Sequence, residues 1–314
     1  MEISLNLGLL TVSAVFLWFG AVWIVDSAAA VARRFNLSEL TIGLTIVAMG
    51  TSLPEFVVTV TASFRGMGDI ALSNVIGSNI FNLGIILGVT ALISPIVSSK
   101  TLIRRDGLFL LLLTSFVLVM MLDLSLGRFT GFVLLFVFVS YNLMVFFRGA
   151  RIGIPVVTPL EKNARPMDFM KLGAGFILIA LGGHFMVEGA VSLAEIMGIS
   201  QWAIGVTIVA AGTSLPELIT CLVAALRGKN EMLLGNLIGS DIFNFAGVLG
   251  LTCLLNPITM SPSAIPSMLT LLAMIGVVLI FMRTGFRVGR IEGLVLIAIS
   301  LARWTLDLQG FNFG

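Results

Sequence analysis

Charge is what this chain of 314 residues has least of: Asp, Glu, Lys and Arg make up 11% of it, against about 25% in an ordinary globular domain. A water-soluble fold must cover its surface with polar side chains, and 34 charged residues cannot do so for this many. Cysteine is nearly absent. Cys221 and Cys253 both lie in apolar stretches, so a disulfide framework or a CxxC metal site is excluded and both read as small buried hydrophobes. The single histidine, His184, excludes HExxH and histidine-rich metal clusters. A net charge of only +2 gives nucleic acid no basic surface to meet.

What the chain does have is hydrophobic residues, 58% of the total, and a mean hydropathy of +1.11. Glu2 and no basic residue precede the first apolar run, which therefore reads as a membrane span rather than a cleavable leader. A crossing helix needs about 20 apolar residues. Runs of that order occur at Leu7–Val25, Leu40–Phe64, Ile70–Ser99, Gly107–Leu122 and Phe129–Phe147. They recur at Leu172–Val187, Gln201–Leu226, Met232–Pro257, Ala264–Met282 and Gly293–Leu306. The alternating period of a barrel strand is missing, so the expected fold class is an all-α polytopic membrane protein with ten transmembrane helices. With the N-terminus outside, 15 of the 18 basic residues fall in inner loops and only Arg65, Arg128 and Arg303 outside. That asymmetry predicts both termini on the outer face of a cell (plasma) membrane.

The sequence also repeats itself. Shifted by 162 positions, Ile42–Ile96 matches Ile204–Ile258 at 29 of 55 positions without a gap. IGLTIVAMGTSLPE and NVIGSNIFN in the first copy become IGVTIVAAGTSLPE and NLIGSDIFN in the second. Five spans per copy is an odd number, so the second copy enters the membrane from the opposite side. The expected organisation is a first five-helix repeat over 1–147, a cytoplasmic linker over 148–171 and an inverted second repeat over 172–314. Inverted repeats around a midplane site are characteristic of alternating-access transporters.

The repeated segments carry the unusual chemistry. Glu55 and Glu217 each sit in the middle of a span, where a carboxylate costs about 2.5–3.5 kcal/mol on insertion scales. No Lys or Arg lies within these helices to pair with them, which leaves two readings: a shared proton, or a mobile cation bound by both. The surroundings fit a cation. Pro54 and Pro216 break their helices and free carbonyls beside the hydroxyls of Thr51, Ser52, Thr213 and Ser214. Ser78 and Asn82, like Ser240 and Asn244, are four residues apart and so share a helix face. The collection is all oxygen, which suits Ca²⁺ or Na⁺ and disfavours zinc and copper.

These residues resemble a known family. The two GTSLPE segments, with Ser73–Asn82 and Gly235–Asn244, are similar to the α-repeats of the sodium/calcium exchangers of the cation/calcium antiporter superfamily. The resemblance covers all ten expected spans. It implies a core of the second, third, seventh and eighth helices, across which the first and sixth slide. It further implies exchange of several Na⁺ for one Ca²⁺, with these ions as cargo and neither ATP nor a bound cofactor. Carried over by position, Glu55 and Glu217 bridge a central Ca²⁺ site completed by the carbonyls of Thr51 and Thr213 and by Asn82 and Asn244. The outer sodium site takes the Ala210 carbonyl, Thr213, Ser214, Ser78 and Glu55. The inner one takes the Ala48 carbonyl, Thr51, Ser52, Ser240 and Glu217.

One departure stands out. Some relatives carry Asp where this chain has Asn244, and potassium coupling, linked to that acid, is not expected here. Asp241, opposite Asn79 in the other repeat, points about 60° away from Asn244 on an ideal helix. Two roles are open to it, lining the ion pathway or capping a broken helix. Asp26 and Glu188 are expected at helix ends or interfaces, and His184, which replaces Val22 of the first repeat, in packing. The nearest rival function is a Ca²⁺/H⁺ exchanger using the same two glutamates, and a cation channel is a second. GxGD, rhomboid GxSG and HExxH patterns are read as absent, and no enzyme is expected. The chain is read as a monomer in the lipid bilayer.

Overall fold

The computed structural model describes residues 2–149, 165–196, 210–262 and 264–308. Apart from four two-residue strands, the regular structure of these residues is helical. Helix α1 is Glu2–Arg34, α2 is Glu39–Thr51, α3 is Leu53–Phe64 and α4 is Gly68–Ile93. They are followed by α5, Leu102–Asp123, and α6, Arg128–Gly149. Beyond the linker come α7, Pro166–Ile196, α8, Ala210–Thr213, and α9, Leu215–Leu226. The chain closes with α10, Asn230–Leu255, α11, Ala264–Arg283, and α12, Arg290–Leu308.

Among the described residues, seven helices are long and apolar enough to cross a membrane, and the bent pair α2–α3 makes an eighth. Ten crossings are thus not reached on length and apolarity alone. The expected seventh span, Gln201–Leu226, falls partly on 201–209, outside the described residues, and α9 supplies 12 residues of it. The expected tenth, α12, carries Arg290, Glu292, Arg303 and Asp307, which lower its hydropathy. Most of the linker expected over 148–171 also lies outside the described residues; where the chain resumes, the Arg165 N–H donates to Asp168 Oδ2 at 2.7 Å. Helix α1 overruns its apolar run: 33 residues rise about 50 Å, against a hydrocarbon core of about 30 Å.

Burial separates the inside of the bundle from its rim. In α10 and α4, 83% and 72% of the apolar window is buried, against 22–39% in the other crossing helices, so these two form the centre. Phe129, Phe132, Phe136 and Phe147 of α6 point outward, as lipid-facing side chains should. Helix α2 lies against α10 at backbone contact. A Cβ at Gly43 would stand 2.7 Å from the Met232 carbonyl oxygen, and one at Gly235 would stand 2.8 Å from that of Leu40. Only glycine lets two helices approach so closely.

The repeat shift reappears in three dimensions. Strand β1 (Ile96–Val97) pairs with β4 (Arg287–Val288), and β2 (Ser125–Leu126) pairs with β3 (Ile258–Thr259). Adding 162 turns β1 into β3 and β2 into β4, so each small sheet joins one repeat to the other. Gly66 and Gly228, at equivalent turns after α3 and α9, both take the left-handed conformation, with φ of 73° and 68°.

One expectation about an isolated residue needs adjustment. His184 does not pack inside: its side chain is 71% exposed and lies 3.9 Å from Glu188. Asp26, expected at a helix end or an interface, stands within α1, half exposed, and meets Arg227 at 3.3 Å. Close by, Lys229 is hydrogen-bonded to Glu39. The two cysteines are free and buried, as read.

Candidate functional site

The GTSLPE segments fold as two interrupted helices. Helix α2 ends at Thr51, Ser52 leaves helical geometry (φ −85°, ψ 13°), and α3 restarts at Leu53 with Pro54 in its first turn. In the second copy Ser214 does the same (φ −90°, ψ 7°) before α9 starts at Leu215 with Pro216. Proline suits a first turn, where its missing N–H has no intrahelical acceptor anyway. Helices α2 and α3 meet at 49°. Each break places a glutamate, Glu55 or Glu217, in the first turn of a new helix, at the positive end of its dipole.

The two breaks are then stitched crosswise. Ser52 Oγ donates to Glu217 Oε1 at 2.6 Å, and Ser214 Oγ donates to Glu55 Oε1 at 2.9 Å. Both glutamates are 1% exposed, and they lie within electrostatic reach of each other. Thr213 flanks Glu55, while Thr51 and Ser240 flank Glu217. Thr51 and Ser240 also converge on the Ala48 carbonyl, at 3.4 and 3.5 Å. Ala210 opens α8, four residues before Ser214, as Ala48 stands before Ser52.

The central helices supply the remaining groups. Each includes a π-helical stretch, Asn82–Ile86 in α4 and Phe243–Leu249 in α10, a wide turn often found at functional sites. Asn244 Nδ2 donates to Ser78 Oγ at 3.2 Å and to Asn79 Oδ1 at 2.9 Å. Asn82 Nδ2 donates to Asp241 Oδ1 at 3.0 Å. Asp241 therefore does not cap a helix break; it lies inside α10, fully buried between the central helices and within electrostatic reach of Glu217.

Two asparagines escaped sequence reasoning. Asn74 Nδ2 donates to the Glu55 carbonyl at 3.2 Å and to Thr59 Oγ1 at 2.9 Å. Its counterpart Asn236 accepts from Thr51 Oγ1 at 3.3 Å and donates to Cys221 Sγ at 3.4 Å. Their identity in both copies was the available signal. The GxGD pattern read as absent is in fact present at Gly66–Asp69. It spans the exposed turn before α4 and the first two residues of that helix, and Asp69 Oδ1 accepts the Ser261 N–H at 2.7 Å, unlike the intramembrane carboxylate such a motif denotes in proteases.

The polarity of what remains is one-sided. Glu55 Oε2, Glu217 Oε2, Asn82 Oδ1, Asn244 Oδ1 and Asp241 Oδ2 are buried without a hydrogen-bond partner, and all five are acceptors. Buried acceptors left bare are destabilising, and the group that satisfies several at once is a cation. Among the described residues no three Asp, Glu, His or Cys side chains gather as a cluster for a metal ion. The oxygens are instead mixed carboxylate, amide, hydroxyl and carbonyl, a hard set that suits Ca²⁺ or Na⁺.

Fold and site together define a helical membrane protein with an oxygen-lined interior shaped by two broken helices. The chain belongs to the sodium/calcium exchanger family, whose profile (described as "Sodium/calcium exchanger protein") matches residues 5–147 and 169–301. It is 33% identical over 345 residues to the sodium/calcium exchanger MaX1 of Methanosarcina acetivorans, covering 96% of this chain and 97% of that one. It is 34% identical over 265 residues to the inner membrane protein YrbG of Escherichia coli, covering 82% of each. Among solved structures it is similar to the sodium-calcium exchanger NCX_Mj soaked with Na⁺ and no Ca²⁺, with a TM-score of 0.85 and 33% identity, covering 96% of this chain and 98% of that one.

Proposed function

We propose that this chain is a secondary antiporter that exchanges Na⁺ for Ca²⁺ across a cell membrane by alternating access. The observation that carries the proposal is the set of buried, partnerless acceptor oxygens on Glu55, Glu217, Asn82 and Asn244, the two glutamates being cross-bonded to the serines of the opposite repeat. Ca²⁺ binds between the two glutamates, with the carbonyls of Thr51 and Thr213 and the amide oxygens of Asn82 and Asn244 completing its shell. Na⁺ binds on either side of it. One position is built from Ala210, Thr213, Ser214, Ser78 and Glu55, the other from Ala48, Thr51, Ser52, Ser240 and Glu217. What supports this division is that both sets share a glutamate with the calcium position, so the two ions compete for the same charges.

Exchange follows from electrostatics. An empty site carries two carboxylates through a dry slot, which on the insertion scale is unfavourable by about 5–7 kcal/mol for the pair. That suppresses the empty crossing by roughly 10³–10⁵-fold, while Ca²⁺, or enough Na⁺ in its place, offsets the charge and permits it. Hydroxyls of Thr51, Ser52, Thr213 and Ser214 favour Na⁺ over H⁺ as the counter-ion, because a proton needs no oxygen cage.

In the same proposal the chain crosses the membrane ten times in two inverted repeats, with both termini outside and the 148–171 linker inside. The test is radiolabelled Ca²⁺ uptake into proteoliposomes. An outward Na⁺ gradient should drive it and a pH gradient alone should not. Uptake driven by pH without Na⁺ would replace the sodium reading with a proton one.

A further inference from the structure

We infer that Asn79 and Asp241 are positioning residues that aim the amide oxygens of Asn82 and Asn244 at the bound ion. The inference rests on the ion site proposed above and assigns a role to two residues that need not touch the ion. A side-chain amide has a donor end and an acceptor end, and its terminal torsion is broad and roughly two-fold. An asparagine presents oxygen to a cation reliably only if something holds its nitrogen on the other side.

Each central asparagine is held that way, and each holder comes from the opposite repeat. Asn82 Nδ2 donates to Asp241 Oδ1 at 3.0 Å, and Asn244 Nδ2 donates to Asn79 Oδ1 at 2.9 Å. Residues 79 and 241 occupy equivalent repeat positions, as do 82 and 244, so the two clamps are reciprocal. Both freed oxygens, Asn82 Oδ1 and Asn244 Oδ1, are buried with no protein partner.

The polarity of both clamps traces to one residue. Asp241 Oδ1 is the acceptor here, so it holds the nitrogen end of Asn82. A backbone carbonyl only accepts, and the Asp241 carbonyl takes Asn79 Nδ2 at 3.4 Å. Asn79 is thereby turned so that its own oxygen faces Asn244. Asp241 thus fixes one amide through its side chain and the other through its backbone. Removing either holder frees an amide to turn its N–H end towards a cation, where it repels.

The test uses the purified full-length protein. Ca²⁺ binding and the KM and kcat of Na⁺-driven Ca²⁺ uptake are measured for wild type, Asp241→Leu, Asp241→Asn, Asn79→Leu and Glu55→Gln. Asp241→Leu and Asn79→Leu each remove one acceptor and should raise the KM for Ca²⁺ about tenfold, with kcat per folded transporter little changed. Asp241→Asn removes the charge but keeps the acceptor, and its own amide nitrogen can mirror Asn79 by reaching that residue's carbonyl. It should stay within about threefold of wild type.

An Asp241→Asn variant as impaired as Asp241→Leu would overturn the inference, since charge and not aim would be at work. Wild-type KM in Asn79→Leu would overturn it equally. If a leucine variant does not fold, Asp241→Asn alone decides. Wild type and Glu55→Gln binding Ca²⁺ equally would instead remove the ion site itself, and the positioning role with it.

Discussion

Neutralising the two glutamates separates folding from transport more sharply than any other change to this molecule. Glu55 and Glu217 are each 1% exposed, each receives one serine hydrogen bond, and each keeps one oxygen bare. Glutamine preserves the acceptor for the serine and the shape of the side chain while removing the charge. In the double variant Glu55→Gln/Glu217→Gln the penalty of about 5–7 kcal/mol for two carboxylates in a dry interior disappears. Without ions the variant should therefore unfold no more easily than wild type, and at a higher temperature if that penalty dominates. It should also lose its response to calcium. At a hundred times its dissociation constant Ca²⁺ should stabilise wild type by about 2.7 kcal/mol, visible as a rise in Tm in detergent, and should leave the variant unmoved. Radiolabelled Ca²⁺ uptake should fall at least about a hundredfold in either single variant. A single variant that exchanged Ca²⁺ normally, or a double variant whose Tm still rose with Ca²⁺, would refute the reasoning.

Ser52→Ala and Ser214→Ala each remove a hydrogen bond to a carboxylate, worth about 1.5–3 kcal/mol. Each should weaken the apparent Na⁺ affinity at least about tenfold, read from the Na⁺ dependence of Ca²⁺ release. Gly43→Ala places a methyl group 2.7 Å from the Met232 carbonyl oxygen and should cost about 1–3 kcal/mol of stability, seen as a lower Tm and less folded protein. Lys229→Ala breaks a partly exposed ion pair with Glu39; it should change stability by no more than about 1 kcal/mol and leave Ca²⁺ affinity alone. Because Cys221 and Cys253 are buried, a membrane-impermeant thiol reagent applied to intact cells should label Arg65→Cys and spare Arg227→Cys. The opposite pattern would invert the proposed topology.

Much of the fold was legible before any coordinates because it is set by transfer free energy, which depends on local composition. Most apolar runs became helices at the expected places. The two prolines marked the breaks at Ser52 and Ser214 because a missing N–H acts locally. Hydropathy was less informative about length, and α1 runs well past its expected apolar run with residues 28–32 buried against the rest of the bundle. It also misjudged single residues: His184 was assigned to packing and lies exposed, because one position in a helix says little about which neighbour it will face.

The site divides in the same way. Its membership came from the sequence, since buried carboxylates, hydroxyls and amides stand out in an apolar chain and the duplication marks them twice. Its wiring did not. Which serine serves which glutamate, and which acceptor holds which asparagine, is decided between side chains 159 to 165 positions apart in the chain. Asp241 is the clearest case. On an ideal helix it points away from Asn244, and nothing local links it to Asn82. Only the close packing of α4 on α10, with their π-helical turns, brings its carboxylate to that amide, because a hydrogen bond is satisfied over about 3 Å of space whatever the distance along the chain.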